Sequence, residues 1–251
     1  MTLDACAELV ERGDPDRFAA VMAAPVAVRA RLWPLYAFNL EIARAPWVTK
    51  EPMIAEMRLQ WWRDVVAEPK ARGHEVAGPL HDLIHAAGLP VAVLDRMAAA
   101  RRWDVYTDAF ADRAAFDAYL DETAGGLMWL AALALGAPVG AEAKVRDLGW
   151  ATGLANFLRA VPDLEARGRL PLVDGRPEAV RALATEGVAR LRASRGVRLG
   201  AGRSALLAGW QTGALLAQVQ RDPMVVAEGR MGLSEFQRRG RLVWQALGGR
   251  W

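Results

Sequence analysis

The chain has 251 residues, 53% hydrophobic and 24% charged, with 32 basic against 29 acidic side chains and a net charge of +3. That length suits one large domain or two small ones. The apolar content supplies a core and excludes a disordered chain, and so even a charge balance gives no ground for a nucleic-acid partner.

The N-terminus, "MTLDACAELVERGDPDRF", carries acids early and no long apolar run. It reads neither as a secretory signal nor as an Arg-rich transit peptide. Cys6, the single cysteine, excludes an internal disulfide and fits a reducing compartment; a small buried residue is the expectation for it. Asp14 is placed to cap a helix whose first position is Pro15, and Pro25 stops it. Further helices are expected over about 26–45, 52–67, 79–87, 90–102, 113–121, 124–136, 141–160, 177–194, 203–221 and 234–247. Ala, Leu, Arg and Glu fill these spans, and all are good helix formers. Period-2 alternation is scarce. "GLMWLAALALG", 126–136, is the most apolar stretch. It is about half the ~20 residues that span a bilayer, so it reads as a core helix. The expectation is an all-α, single-domain protein over 1–251 with its core at about 14–247, cytoplasmic or peripheral on a membrane.

Recognised chemistry is sparse. "LGAGRS", 199–204, lacks the spacing of a phosphate loop and reads as a turn. His81 and His85 share a helix face, but zinc needs a third ligand and HExxH is absent, so no metal site is expected. Three histidines and one cysteine make a nucleophile triad unpromising. Adjacent Trp61 and Trp62 point about 100° apart on a helix, so one of them lines a groove or the surface. The pairs Gly149/Gly153 and Gly209/Gly213 allow either close helix packing or room for a ligand chain.

Polar residues interrupt two apolar helices. Asn39, Glu41 and Arg44 lie on one; Asn156, Arg159 and Asp163 lie on the other. A buried polar group costs several kcal/mol without a partner. The two sets either form an internal network or face each other across a cavity.

"LYAFNLEIAR" (35–44), "RLQWWRD" (58–64), "YLDETAG" (119–125) and "NFLRAVPDLEARGRL" (156–170) resemble the squalene/phytoene synthase family, in order and over nearly the whole chain. The resemblance implies an isoprenoid-synthase-type helical bundle with a central cavity. It also implies head-to-head condensation of two prenyl diphosphates on Mg²⁺ ions held by two aspartate-rich helices. This sequence departs from that pattern. Aligning on Tyr36-Ala37-Phe38 puts Ala43, Arg44 and Trp47 where the family's first acidic motif stands. Aligning on Asn156 and Leu158-Arg159 puts Ala160 and Leu164 where the second stands. Asp163 and Glu165 flank the second site, and nothing comparable flanks the first.

The paired departures resemble one branch, the phytoene-synthase-like assembly factors of respiratory complex I (NADH:ubiquinone oxidoreductase). The resemblance implies a non-catalytic protein, peripheral on the inner membrane, with complex I subunits or assembly intermediates as partners. Glu41 and Arg44 then pair with each other, or with Arg159 and Asp163 across the cavity; alternatively Arg44, Arg58 and Arg159 bind an anionic head group. Two other readings stay open. One is an active prenyl synthase using Glu41, Asp163 and Glu165 for Mg²⁺, the one case in which a cofactor is expected. The other is a lipid or isoprenoid/quinone carrier that uses the old cavity.

"LSEFQRRGRLVWQALGGRW" closes the chain. Ser234 and Gln237 make a capping-box pattern. Phe236, Val243, Trp244, Leu247 and Trp251 fall near one face, and Arg238, Arg239, Arg241 and Arg250 are basic neighbours. This helix either closes the core or meets an anionic membrane surface.

Overall fold

Asp14 begins the architecture as its position predicts: its carboxylate accepts the Arg17 backbone N–H at 2.9 Å and Pro15 takes the first turn. The computed structural model describes residues 3–68, 70 and 72–248, and among these there is no strand. The helices are α1 (Leu3–Gly13), α2 (Pro15–Ala23), α3 (Val26–Arg44), α4 (Pro52–Ala67), α5 (Ala77–Ala87), α6 (Val91–Ala100) and α7 (Arg113–Leu120). After them come α8 (Gly126–Ala134), α9 (Glu142–Ala166), α10 (Pro177–Ala193), α11 (Thr212–Arg221), α12 (Met224–Ala227) and α13 (Glu235–Gly248).

Helix α8 is apolar all round, and the structure buries it on all sides. It packs on α3, α6, α9 and a 3₁₀ stretch, Gly200–Gly209. The 25-residue α9 packs in turn on α8, α10, α11 and a single π-helical turn, Asp121–Gly125. One apolar core runs from Cys6 to Met231. Cys6 is fully buried and its thiol pKa is pushed up to about 11 by that burial, which keeps it protonated and inert. Trp62 is buried against Phe38, while Trp61 is part-exposed beneath Arg72; their 100° separation does not keep them apart, since the two rings meet edge to face at 4.8 Å and both pack on His74.

The structure corrects several boundaries. Residues 3–13 form α1, whose buried Cys6, Leu9 and Val10 dock on α3. Helix α9 continues through Pro162 to Ala166, past the expected end at 160; Val161 and Leu164 are buried, and that packing offsets the bond Pro162 removes. The span 203–221 is not one helix. "LGAGRS" feeds the 3₁₀ stretch from Gly200, whose φ of +55° suits only glycine, and α11 follows it.

Three of the four paired glycines serve close packing. A Cβ on Gly149 would sit 2.7 Å from the Ala124 carbonyl oxygen and 2.7 Å from the Gly125 Cα. One on Gly153 would meet the Ala124 Cβ at 2.6 Å, and one on Gly209 the Thr152 hydroxyl at 2.8 Å. Gly213 differs: its nearest neighbour, the Leu191 side chain, is 3.7 Å away, an ordinary contact.

These distances predict opposite outcomes at two glycines. Gly149→Ala meets rigid backbone and should destabilise by roughly 1–3 kcal/mol. Gly213→Ala should be neutral or stabilise by up to about 1 kcal/mol. Urea unfolding followed by circular dichroism separates them; equal midpoints for the two variants would refute the packing account.

Candidate functional site

Helical spacing decides which polar residues meet. Asn39, Ala43 and Trp47 recur every four residues, as do Asn156, Ala160 and Leu164, so each set follows one side of its segment. Both sets line a cavity of about 490 Å³ between α2, α3, α9 and α11. Arg159 also lines it. Glu41, Arg44, Arg58, Asp163 and Glu165 do not. Glu41 and Arg44 face each other on their own helix at 4.0 Å rather than reaching across. Arg58, Asp163 and Glu165 are solvent-exposed. Of the six polar residues on the two helices, three thus line the cavity: Asn39, Asn156 and Arg159.

The partner of Arg159 is Asp16 on α2, at 3.4 Å. Asp16 also accepts from Arg238 of α13, so one carboxylate joins three helices. Asp14 Oδ2 lies 2.9 Å from Arg17, whose guanidinium stands 5.1 Å above the Tyr36 ring. Burial pushes the Tyr36 pKa up to about 12.

Deeper in the wall lies a cluster that sequence reading missed. Asp104 is buried, 3.2 Å from Arg101, and accepts the Tyr119 hydroxyl at 3.1 Å. Arg101 also donates to the Tyr119 oxygen at 2.8 Å. Burial raises the Tyr119 pKa well above the usual phenol value, so it stays a neutral donor. Arg169 donates to the backbone carbonyls of Trp103, at 3.3 Å, and of Asp104. The guanidinium carbons of Arg167 and Arg169 each lie 4.8 Å from the Trp47 ring. Tyr119 stands in a recognised stretch, "YLDETAG", but its partners are 15 and 18 residues away, beyond any helical periodicity.

The Mg²⁺ cluster implied by the family resemblance does not fit this donor set. Ala43, Trp47, Ala160 and Leu164 offer the cavity no oxygen ligand, whereas a hard cation needs several. The carboxylates that do line it, Asp14, Asp16 and Asp104, each face a guanidinium. Among the described residues no three His, Cys, Asp or Glu side chains are grouped to hold a metal. His81 and His85 bring Nε2 to Nε2 at 3.2 Å without a third ligand.

A family model for squalene/phytoene synthase matches residues 10–232. The Drosophila melanogaster protein named NADH dehydrogenase (ubiquinone) complex I, assembly factor 6 homolog is 30% identical over 178 residues, 67% of this chain and 53% of its own length. The Homo sapiens assembly factor 6 is 25% identical over 161 residues, 62% of this chain and 48% of its own. The chain thus spans about half the length of these curated relatives. Among solved structures, a dehydrosqualene synthase in complex with ligand superposes with a TM-score of 0.82 at 16% identity, covering 98% of this chain and 96% of that one. Squalene synthase HpnC from Alicyclobacillus acidocaldarius gives 0.74 at 16% identity, covering 92% and 95%. The fold is the all-α isoprenoid-synthase type.

Two substitutions in the cavity wall should differ in cost. The Arg159 side chain is 41% exposed, so Arg159→Ala removes a screened ion pair and should cost under about 1 kcal/mol. Asp104→Ala strands Arg101 and Tyr119 in a buried setting and should cost on the order of 3 kcal/mol. Chemical denaturation measures both; a larger loss from Arg159→Ala than from Asp104→Ala would reverse this assignment.

Proposed function

This chain belongs to the squalene/phytoene synthase family, and from that premise we propose that it acts in assembly of respiratory complex I without condensing prenyl diphosphates itself. The single observation that carries the non-catalytic half is the cavity lining. Apolar Ala43, Trp47, Ala160 and Leu164 border the space where the family pattern calls for acids, and the remaining carboxylates already neutralise arginines. A cation cluster that would draw off a diphosphate leaving group has no ligands there. The assembly half rests on the names carried by the curated relatives. Its partners are complex I subunits or assembly intermediates, and its place of action is a membrane surface. Among the described residues no helix is long and apolar enough to cross a membrane, which suits a peripheral protein.

The cavity itself favours a second, compatible reading. Its volume of about 490 Å³ lies within the usual range for small-molecule sites, and Trp47, Tyr119 and Phe157 give it aromatic walls. An isoprenoid or quinone chain is the ligand class such walls accept.

The full-length protein, incubated with farnesyl or geranylgeranyl diphosphate and Mg²⁺ or Mn²⁺, should yield no head-to-head C30 or C40 product above a control without protein. A product above that control overturns the non-catalytic reading. Disrupting the gene should lower the amount of assembled complex I on native gels, and an unchanged amount overturns the assembly role.

A further inference from the structure

Helix α13 is attached by one face only. Leu242 and Ala246 pack on a small cluster of Ala20, Ala24, Leu207 and Trp210. The Gln245 side-chain amide donates to the Trp210 carbonyl at 3.0 Å, and Arg238 pairs with Asp16. No residue of the helix is buried. Its start is nonetheless well formed: the Gln237 backbone N–H donates to the Ser234 hydroxyl at 3.3 Å and the Ser234 N–H to the Gln237 side chain at 3.1 Å.

The opposite face is apolar and uncovered. Phe236, Val243, Trp244 and Leu247 are 88%, 58%, 69% and 82% exposed. At 100° per residue they fall within an arc of about 100°, centred roughly opposite Leu242 and the Arg238 anchor. Arg239 and Arg241 project on either side of that arc. Arg239 is 84% exposed and only 3.7 Å from Glu235, a loose surface pair. Arg241 has no ion-pair partner among the described residues. Arg250 and Trp251, also expected on this helix, lie outside the described residues.

We propose that α13 docks the protein on an anionic lipid surface, with Phe236, Val243, Trp244 and Leu247 entering the headgroup boundary and Arg239 and Arg241 meeting lipid phosphates. The choice of occupant follows from charge. Cations on both flanks of an apolar stripe match an anionic interface, and the indole of Trp244 suits a half-wet boundary. A second copy of α13 on the same stripe would set arginines against arginines. The inference rests on the reading of a protein that works at a membrane surface. It concerns this helix alone, so its failure leaves the complex I role and the missing chemistry to be judged by their own experiments.

Vesicle flotation of the full chain tests it, with phosphatidylcholine alone and phosphatidylcholine mixed with phosphatidylglycerol. Binding should require the anionic lipid and weaken with added salt. Arg239→Gln with Arg241→Gln, and separately Phe236→Ser with Trp244→Ser, should each weaken binding on the order of tenfold or more. Melting temperatures should stay unchanged, since the altered side chains touch no core. No salt-sensitive binding by the unaltered protein, or a variant that binds as tightly as the unaltered protein, overturns the proposal. So does a concentration-dependent dimer in sedimentation velocity that the Phe236→Ser, Trp244→Ser variant abolishes, because the stripe would then belong to a second copy.

Discussion

The contact between Gly149 and the backbone of Ala124 and Gly125 is the constraint on which the rest depends. It lets α9 lie against the π turn at Asp121–Gly125 with no side chain between them. That approach brings Gly153 and Asn156 of α9 into the same wall as Tyr119 and Thr123. It also frees the far side of α9 to carry α10, where Gly187 again admits a neighbour, Leu216 of α11. A side chain at Gly149 would push α9 outward and open the cavity wall, because backbone atoms cannot rotate away as a flexible side chain can. The mid-helix glycines, individually unfavourable for helix formation, are repaid in backbone proximity.

Around this frame the charges of the cavity wall are paired from within. A metal-binding wall presents carboxylates that repel one another until cations arrive. Here Ala43, Trp47, Ala160 and Leu164 bring no carboxylate to the wall. The remaining acids are neutralised by fixed guanidiniums: Asp16 by Arg159 and Arg238, Asp104 by Arg101. Trp47 goes further and offers its ring to Arg167 and Arg169. The carboxylates of the wall are thus paired with the protein's own guanidiniums. Asp16 links this interior to the exterior, since its second partner is the arginine that anchors α13.

Helix content was readable because it is local. Asp14 and Pro15, the apolar period of α3, α4 and α10, and the Ser234–Gln237 box each act within a few residues, and the structure places their helices within a residue or two of expectation. The errors came where distant packing overrides local preference. Helix α1 exists because α3 buries its Cys6 face. Helix α9 survives Pro162 because Leu164 is buried beyond it, and the 3₁₀ stretch at Gly200–Gly209 is held by α8.

The same division runs through the cavity. The apolar identities at 43, 47, 160 and 164 are written in the chain, because an identity at a given position needs no coordinates. Which polar groups would meet was not, because partners such as Asp16 and Arg159 are 143 residues apart and Asp104 and Tyr119 lie on different helices. Periodicity places a side chain on a face of its own helix but says nothing of what stands opposite. It marked Phe236, Trp244 and Leu247 as one stripe on α13. Only the docking of Leu242 and Ala246 on α2 and the 3₁₀ stretch turned that stripe outward, because a helix has one side to give to the core and the other is left to the solvent or to a surface.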